Sequence, residues 1–76
     1  MFEIQAVDTA FASRIPEHLW HTVGRAKTPR GAYRHYAREW GYRHPQQNAW
    51  SGHVRILLDG RPVTVEKDYL EVHYLD

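Results

Sequence analysis

The alternation of apolar and polar residues predicts a strand at each end of the chain. Residues 2–7, Phe-Glu-Ile-Gln-Ala-Val, alternate closely enough for a half-buried strand, and residues 70–75 alternate in the same way. Residues 8–24 are harder to assign, because their apolar positions fit both a helix and a strand. Trp, Thr and Val favour extended structure, so we favour a strand over 18–25, while a helix over 14–24 stays open.

The second half of the chain predicts a β-hairpin. Residues 53–58, His-Val-Arg-Ile-Leu-Leu, are predicted to form a strand, and residues 63–65 supply a returning strand. Asp59-Gly60 between them is typical of a tight hairpin turn. Because proline cannot donate to a strand ladder, Pro62 predicts that the returning strand lies at a sheet edge. Residues 42–52 are polar and rich in turn formers, which indicates a surface loop.

Thr28 and Pro29 predict the start of a helix. Threonine is a good N-cap, and proline is favoured at the first helical position because its missing N–H costs nothing there. The helix is expected to run to about Trp40, with Gly41 ending it in the left-handed conformation.

The predicted helix has two distinct faces. Ala32, Tyr36 and Trp40 are spaced by four and form an apolar stripe, which we expect to pack on the core. A second stripe, also spaced by four, is basic and consists of Arg30, Arg34 and Arg38.

Together these elements predict a single α+β domain over residues 1–76. We expect a small, mostly antiparallel sheet of three to five strands with one principal helix packed on one face. The alternative is a winged helix-turn-helix, with a first helix over 14–24, a recognition helix over 29–40 and the Asp59-Gly60 hairpin as the wing.

The composition argues against catalysis and against a bound metal or cofactor. The chain has no cysteine, which excludes thiolate sites, and neither Ser13 nor Ser51 lies in a recognisable nucleophile motif. Among the six histidines, His18 and His21 have a ligand-like spacing, but no second paired motif completes a four-ligand site. We therefore predict a protein that is not an enzyme and needs no cofactor.

The N-terminus lacks the basic and apolar segments of a signal peptide, and no apolar run is long enough to span a membrane. We expect a cytoplasmic protein with no membrane partner, and the sequence leaves its oligomeric state open.

Charge is segregated along the chain although the net charge is only +1. Counting Lys and Arg against Asp and Glu, residues 25–43 carry +5, while residues 1–24 carry −2 and residues 59–76 carry −3. A local basic block in a nearly neutral chain favours a directed binding patch over general polyanion binding.

The candidate site lies in this basic block. Arginine suits phosphate and carboxylate recognition through its planar fork, and exposed tyrosines are frequent anchors of interfaces. The predicted partner-binding residues are Arg25, Lys27, Arg30, Tyr33, Arg34, Arg38, Tyr42 and Arg43. The partner is either an acidic protein surface, which would make the chain an inhibitor or adaptor, or nucleic acid contacted at its phosphates. The acidic C-terminal stretch favours a protein partner over nucleic acid.

The chain resembles the compact accessory proteins of phages and other mobile elements, including several anti-CRISPR proteins. The resemblance covers size and element order, from the strand Phe2 to Val7 through the capped helix Thr28 to Gly41 to the Asp59-Gly60 hairpin. It implies a non-enzymatic protein that blocks a nucleic-acid-handling complex.

Overall fold

The structure, a computed structural model, describes residues 1–9, 14–44 and 52–75. These residues form a five-stranded antiparallel sheet with one α-helix packed on it. The elements in chain order are β1 (Phe2–Val7), a 3-10 turn (Glu17–Leu19), β2 (His21–Ala26), α1 (Pro29–Arg43), β3 (His53–Leu58), β4 (Arg61–Val65) and β5 (Val72–Tyr74). The predicted α+β fold is thus confirmed.

The strands follow the order β2-β1-β3-β4-β5, so the first strand of the chain lies inside the sheet. Phe2 pairs with Ala26 on one side and with Leu58 on the other. The register slips between Ile4 and Gln5, which leaves Val23 as the extra residue of a bulge in the edge strand β2. All pairings are antiparallel.

Helix α1 begins as the sequence predicts but ends later. The Thr28 side chain accepts a hydrogen bond from the Gly31 backbone N–H at 3.1 Å. Gly41 remains helical, and the helix ends at Arg43 with the His44 N–H donating to the Trp40 carbonyl at 2.9 Å. The prediction that Gly41 ends the helix was therefore wrong, and the extra turn brings Arg43 into the helix.

The second half of the sheet corrects the prediction for Pro62. Asp59 and Gly60 both have positive φ, 50° and 87°, which makes the predicted tight turn between β3 and β4. Strand β4 pairs with β3 on one side and with β5 on the other, so Pro62 does not lie in an edge strand. The Pro62 carbonyl accepts a hydrogen bond from the Leu75 N–H. This contact does not need the backbone N–H that proline lacks.

The winged helix-turn-helix alternative is wrong. Its first helix would occupy residues 14–24, but only the 3-10 turn Glu17–Leu19 forms there before β2 begins. The predicted surface loop over 42–52 is wrong at Tyr42 and Arg43, which belong to α1. Residues 45–51 of that loop lie outside the described residues. No helix in the described ranges is long and apolar enough to cross a membrane.

The core lies between the sheet and α1. Ile4 is fully buried at its centre. Around it pack the other buried residues of the cluster: Phe2, Ala6, Ala32, Val54, Ile56, Val63 and Val65. The prediction that Trp40 belongs to this core is wrong, because Trp40 is 41% exposed and stacks on His44 at a centroid distance of 4.0 Å.

We expect Trp40→Ala to leave the protein folded. Removing a fully buried tryptophan costs about 3–5 kcal/mol, and the exposed position of this ring reduces the expected cost to about 2 kcal/mol. Chemical denaturation followed by circular dichroism measures the difference. A variant that is unfolded in buffer would show that Trp40 carries far more of the core than its exposure indicates.

Candidate basic docking face

The outer surface of α1 carries a continuous row of basic side chains. Arg30, Arg34 and Arg38 are all exposed, and their spacing of four places them on one side of the helix, away from the buried Ala32. Lys27, also exposed, lies in the connection that leads into the helix. We call Lys27, Arg30, Arg34 and Arg38 the basic face.

The cations of the basic face have no carboxylate partners among the described residues. In the ion pairs among the described residues, the positively charged partner is the N-terminus, a histidine, Arg43 or Arg55. Because guanidinium groups without a carboxylate partner still have N–H donors to offer to one, the basic face is suited to bind an anionic surface.

One polar contact organises this face from within. Arg38 Nη2 lies 2.9 Å from His35 Nδ1. A guanidinium group can only donate, so Nδ1 must accept and carries no proton in this arrangement. The His35 ring in turn lies against β2, where a Cβ on Gly24 would come within 2.9 Å of Nδ1. Glycine at position 24 thus lets the helix approach the sheet closely enough to fix His35 and, through it, Arg38.

The two predicted tyrosines have different environments. Tyr42 is 78% exposed and follows Arg34 and Arg38 at the same spacing of four, so it extends the basic face with an aromatic ring. Tyr33 is half-buried and packs against the core, with its outer edge lining a surface depression of about 580 Å³ beside Arg34 and Arg38. Tyr42 is therefore available to a partner as a whole side chain, and Tyr33 only in part.

Arg25 lies on the other side of the sheet. It pairs in register with Glu3, and paired residues of neighbouring strands project on the same face. Glu3 shares its face with Gln5 and Arg55, opposite the face covered by α1. The structure therefore separates Arg25 from the basic face, although the two are close in sequence.

Arg43 is not a surface residue, which corrects its predicted role in partner binding. It is buried, with Nη2 at 2.8 Å from Asp8 and Nη1 at 2.8 Å from the Glu39 carboxylate. Burial acts to lower the pKa of the guanidinium, but the hydrogen bond with Glu39 and the charge of Asp8 outweigh it and raise the pKa. Arg43 thus ties the end of α1 to the end of β1.

A second internal network covers the face of the sheet opposite α1. Arg55 donates to Gln5 at 2.7 and 2.9 Å and to Glu17 at 2.9 and 3.1 Å, and its guanidinium lies 4.2 Å from the centre of the Trp20 ring. Glu3 accepts from Gln5 at 3.0 Å. These groups satisfy one another, so this face offers a partner fewer free donors than the basic face.

We expect this network to make stability depend on acid pH. A hydrogen bond from Thr22, followed by one from Gln5, holds the pKa of Glu3 below its ordinary value of 4.5, and hydrogen bonds from Arg55 do the same for Glu17. A carboxyl whose pKa is lower in the folded state stabilises the fold above its unfolded pKa, and this contribution is lost as pH falls. The melting temperature should therefore drop below about pH 4.5.

Thermal melts between pH 3 and 7 test this expectation. The double variant Glu3→Gln, Glu17→Gln should have a weaker pH dependence below about pH 4.5 than the wild type. Glu71→Gln, which lies outside the network, should retain the wild-type dependence. An unchanged profile in the double variant would contradict the role of the network.

Negative charge collects at the opposite edge of the sheet from β2. Glu66, Asp68 and Glu71 surround the turn between β4 and β5, and the Glu66 carboxylate accepts the Asp68 backbone N–H at 3.1 Å. No three His, Asp or Glu side chains within residues 1–9, 14–44 and 52–75 are close enough to hold a metal ion. The described protein is thus electrically polar, with α1 positive and the β4–β5 turn negative.

Sequence reasoning missed the structural role of Arg43 and the exposure of Trp40. The spacing of four between Glu39 and Arg43 was a signal for their ion pair, but it counts only if the helix continues past Gly41. No local signal marked Trp40 as exposed, because its spacing from Ala32 and Tyr36 is the same whether the ring is buried or exposed.

Comparison with known proteins adds no relative from which function could be transferred. No protein-family model matches the chain, and no curated protein or solved structure matches it.

Proposed function

We propose that this protein is a non-enzymatic binding module that docks through its basic face on an acidic surface of a partner protein. The observation that supports this proposal is the row of Lys27, Arg30, Arg34 and Arg38, exposed and without carboxylate partners among the described residues. Solubility alone would be served as well by lysine or glutamate, whereas arginine forms paired hydrogen bonds to carboxylates.

Two features favour a protein over nucleic acid as the partner. The basic row ends in Tyr42, and arginine next to exposed tyrosine is the composition of protein-interface hot spots. The acidic turn that holds Glu66, Asp68 and Glu71 would repel a long polyanion that extended past α1. A compact acidic surface that covers α1 alone avoids this repulsion.

The biological role that we propose is that of an inhibitor or adaptor of a larger complex. A domain of this size can cover an acidic surface of its partner without supplying chemistry of its own. The resemblance to phage accessory proteins makes nucleic-acid-handling complexes, CRISPR effectors among them, the first partners to test.

Direct titration distinguishes the two classes of partner. Labelled protein would be titrated with poly-L-glutamate, a single-stranded oligonucleotide and a DNA duplex, each over a series of salt concentrations. Nucleic-acid binding through phosphates should give a slope of log affinity against log salt of about −0.7 to −0.9 per contact. We expect poly-L-glutamate to bind and nucleic acid to bind no better at physiological salt.

Affinity purification from the native host after nuclease treatment, followed by mass spectrometry, then identifies the partner. The proposal predicts a recovered protein whose retention depends on Arg34 and Arg38. Preferential binding of the duplex or the single strand at physiological salt, with nuclease-sensitive recovery, would contradict it and favour the nucleic-acid module.

A further inference from the structure

Strand β2 forms one edge of the sheet. It is the first strand in the sheet order, and within the described ranges only β1 pairs with it. His21, Thr22 and Arg25 are exposed along this edge. An edge strand presents backbone N–H and C=O groups to which a strand of another chain can pair. The β2 edge is therefore a surface on which a partner segment can bind.

The pairing pattern shows which backbone groups of β2 point outward. The Asp59 N–H donates to the Met1 carbonyl, so Met1 directs its backbone groups toward the β3 side. Backbone direction alternates along a strand, so the even-numbered residues of β1 direct theirs toward β2. Gly24 and Ala26 pair with even-numbered residues of β1. Their backbone groups therefore bond to β1, and Arg25 between them points its N–H and C=O away from the sheet.

Helix α1 runs beside this edge in the opposite direction to β2. Near the start of the helix, a Cβ on Gly31 would lie 3.2 Å from the Cβ of Ala26, the last residue of β2. One turn later, His35 lies against Gly24, which comes earlier in β2. The side of α1 that holds His35 therefore borders the β2 edge.

Both sides of the edge carry groups that suit an acidic ligand. On the helix side, Arg38 bonds to His35 through Nη2, which leaves its other N–H groups to a partner. Tyr42 is 78% exposed and lies only about 20° around the helix axis from His35. On the opposite face of the sheet, Arg25 attracts Glu3 through space without a hydrogen bond between them. The edge thus lies between two sets of basic side chains.

The charge of the edge selects an acidic occupant over a second copy of this protein. Lys27, which follows β2, is exposed, and the nearby Asp8 is already bound by Arg43 at 2.8 Å and lies 3.8 Å from His21. Two copies joined at this edge would bring two basic strands together, which like charges oppose. The other edge strand, β5, has only three residues and follows the acidic turn, so it would repel an acidic segment.

We propose that the β2 edge binds an extended acidic segment of the partner protein, which adds a strand to the sheet and places its carboxylates near Arg25, Lys27 and Arg38. The bulge at Val23 limits regular pairing to the second half of β2, so the segment that pairs is short. In this mode main-chain hydrogen bonds supply affinity, and the flanking side chains supply specificity. This inference rests on the proposed function and adds the form in which the partner segment is recognised.

Three synthetic peptides of about eight residues test the proposal. The first alternates glutamate with threonine, which favours extended structure. The second has the same sequence with the backbone nitrogens of its central residues methylated, which keeps the charge and removes the N–H donors. The third replaces each glutamate by lysine. Fluorescence anisotropy at about 150 mM salt compares their affinities for the wild-type protein.

We expect the first peptide to bind about tenfold more tightly than the methylated peptide, because main-chain hydrogen bonds to β2 are lost. Amide hydrogen exchange followed by NMR gives a direct readout on the wild type. In the complex saturated with the first peptide, the Arg25 amide should exchange about tenfold more slowly than in the free protein. The amide of Lys67, in the turn before β5, should be unaffected.

Two matched variants separate the backbone of Arg25 from its charge. Arg25→Thr keeps the outward N–H and loses the charge, whereas Arg25→Pro loses both. Proline is tolerated on an edge strand where the N–H faces solvent, and circular dichroism checks that the fold remains. We expect Arg25→Pro to bind the first peptide about fivefold more weakly than Arg25→Thr. The peptide comparison and the exchange measurement use the wild type, so they decide the question even if the proline variant does not fold.

Four outcomes would overturn the inference, and they have different consequences. Equal affinity for the plain and methylated acidic peptides, with unchanged exchange of the Arg25 amide, would show that only charge is recognised, and the proposed function would stand without the edge. Equal or tighter binding of the lysine peptide would overturn the charge complementarity. Absence of binding by both acidic peptides and by poly-L-glutamate would contradict the proposed function itself. A dimer of this protein that Arg25→Pro dissociates would show that a second copy occupies the edge.

Discussion

Arg43→Met should destabilise this protein more than any substitution of an exposed arginine. The variant keeps an apolar stem of similar length but removes the guanidinium that joins Asp8 to Glu39. Removing one partner of a buried ion pair costs about 3–5 kcal/mol, and we expect about 3 kcal/mol because the Asp8 side chain is 64% exposed. For a domain of this size the melting temperature should fall by about 12 °C or more.

The matched control is Arg34→Met, the same change at an exposed position of the same helix. Surface substitutions of this kind usually stay within about 0.5 kcal/mol. Urea denaturation of the two variants side by side measures the difference in the free energy of unfolding. Equal midpoints would mean that the ion pairs of Arg43 add nothing to the stability of the fold.

The combined substitution Arg30→Glu, Arg34→Glu, Arg38→Glu should abolish binding to the partner and leave the fold intact. Each position loses an attraction and gains a repulsion, worth about 1 kcal/mol at an exposed interface. The sum of about 3 kcal/mol lowers affinity more than 100-fold. Glutamate is a good helix former, and none of the three side chains contributes to the core, so the helix should remain.

Binding assays on this triple variant need a control for its changed net charge. Arg14→Glu combined with Lys67→Glu reverses two exposed cations that lie outside the basic face. We expect this double variant to bind with nearly the wild-type affinity at physiological salt, where charges beyond about 8 Å are screened. Equal losses in both variants would show that overall charge, not the basic face, governs association.

Much of the fold could be predicted because local and tertiary preferences agree. The alternating residues of β1 place Phe2, Ile4 and Ala6 on the core side, as the period of two requires. The Asp59-Gly60 turn needs positive φ at both positions, which few dipeptides tolerate. These signals are contained within a few residues, so the sequence alone reveals them.

The errors arose where distant contacts override local signals. Gly41 has a strong preference for ending a helix, but Arg43 is held by Asp8, which directly follows the distant strand β1, and that ion pair favours one more helical turn. Pro62 suits an edge strand, yet β5 pairs with β4 on its other side and accommodates the proline. Neither partner can be identified from the spacing of neighbouring residues.

The candidate site was predicted only in part, because local spacing defines a helical face but not the register of a strand. A spacing of four is sufficient to place Arg30, Arg34 and Arg38 on one helical face. It cannot show that Arg25 projects from the other side of the sheet, because that depends on its register with Glu3.

Mapping of the binding surface by NMR tests the central claim most directly. In a titration of isotope-labelled protein with the acidic partner or with poly-L-glutamate, amide and side-chain signals report which residues contact the ligand. We predict that the largest changes occur at Lys27, Arg30, Arg34, Arg38 and Tyr42. Changes centred on Arg25 and Arg55, on the face of the sheet opposite α1, with the signals of the helix unaffected, would contradict the assignment of the basic face as the docking site.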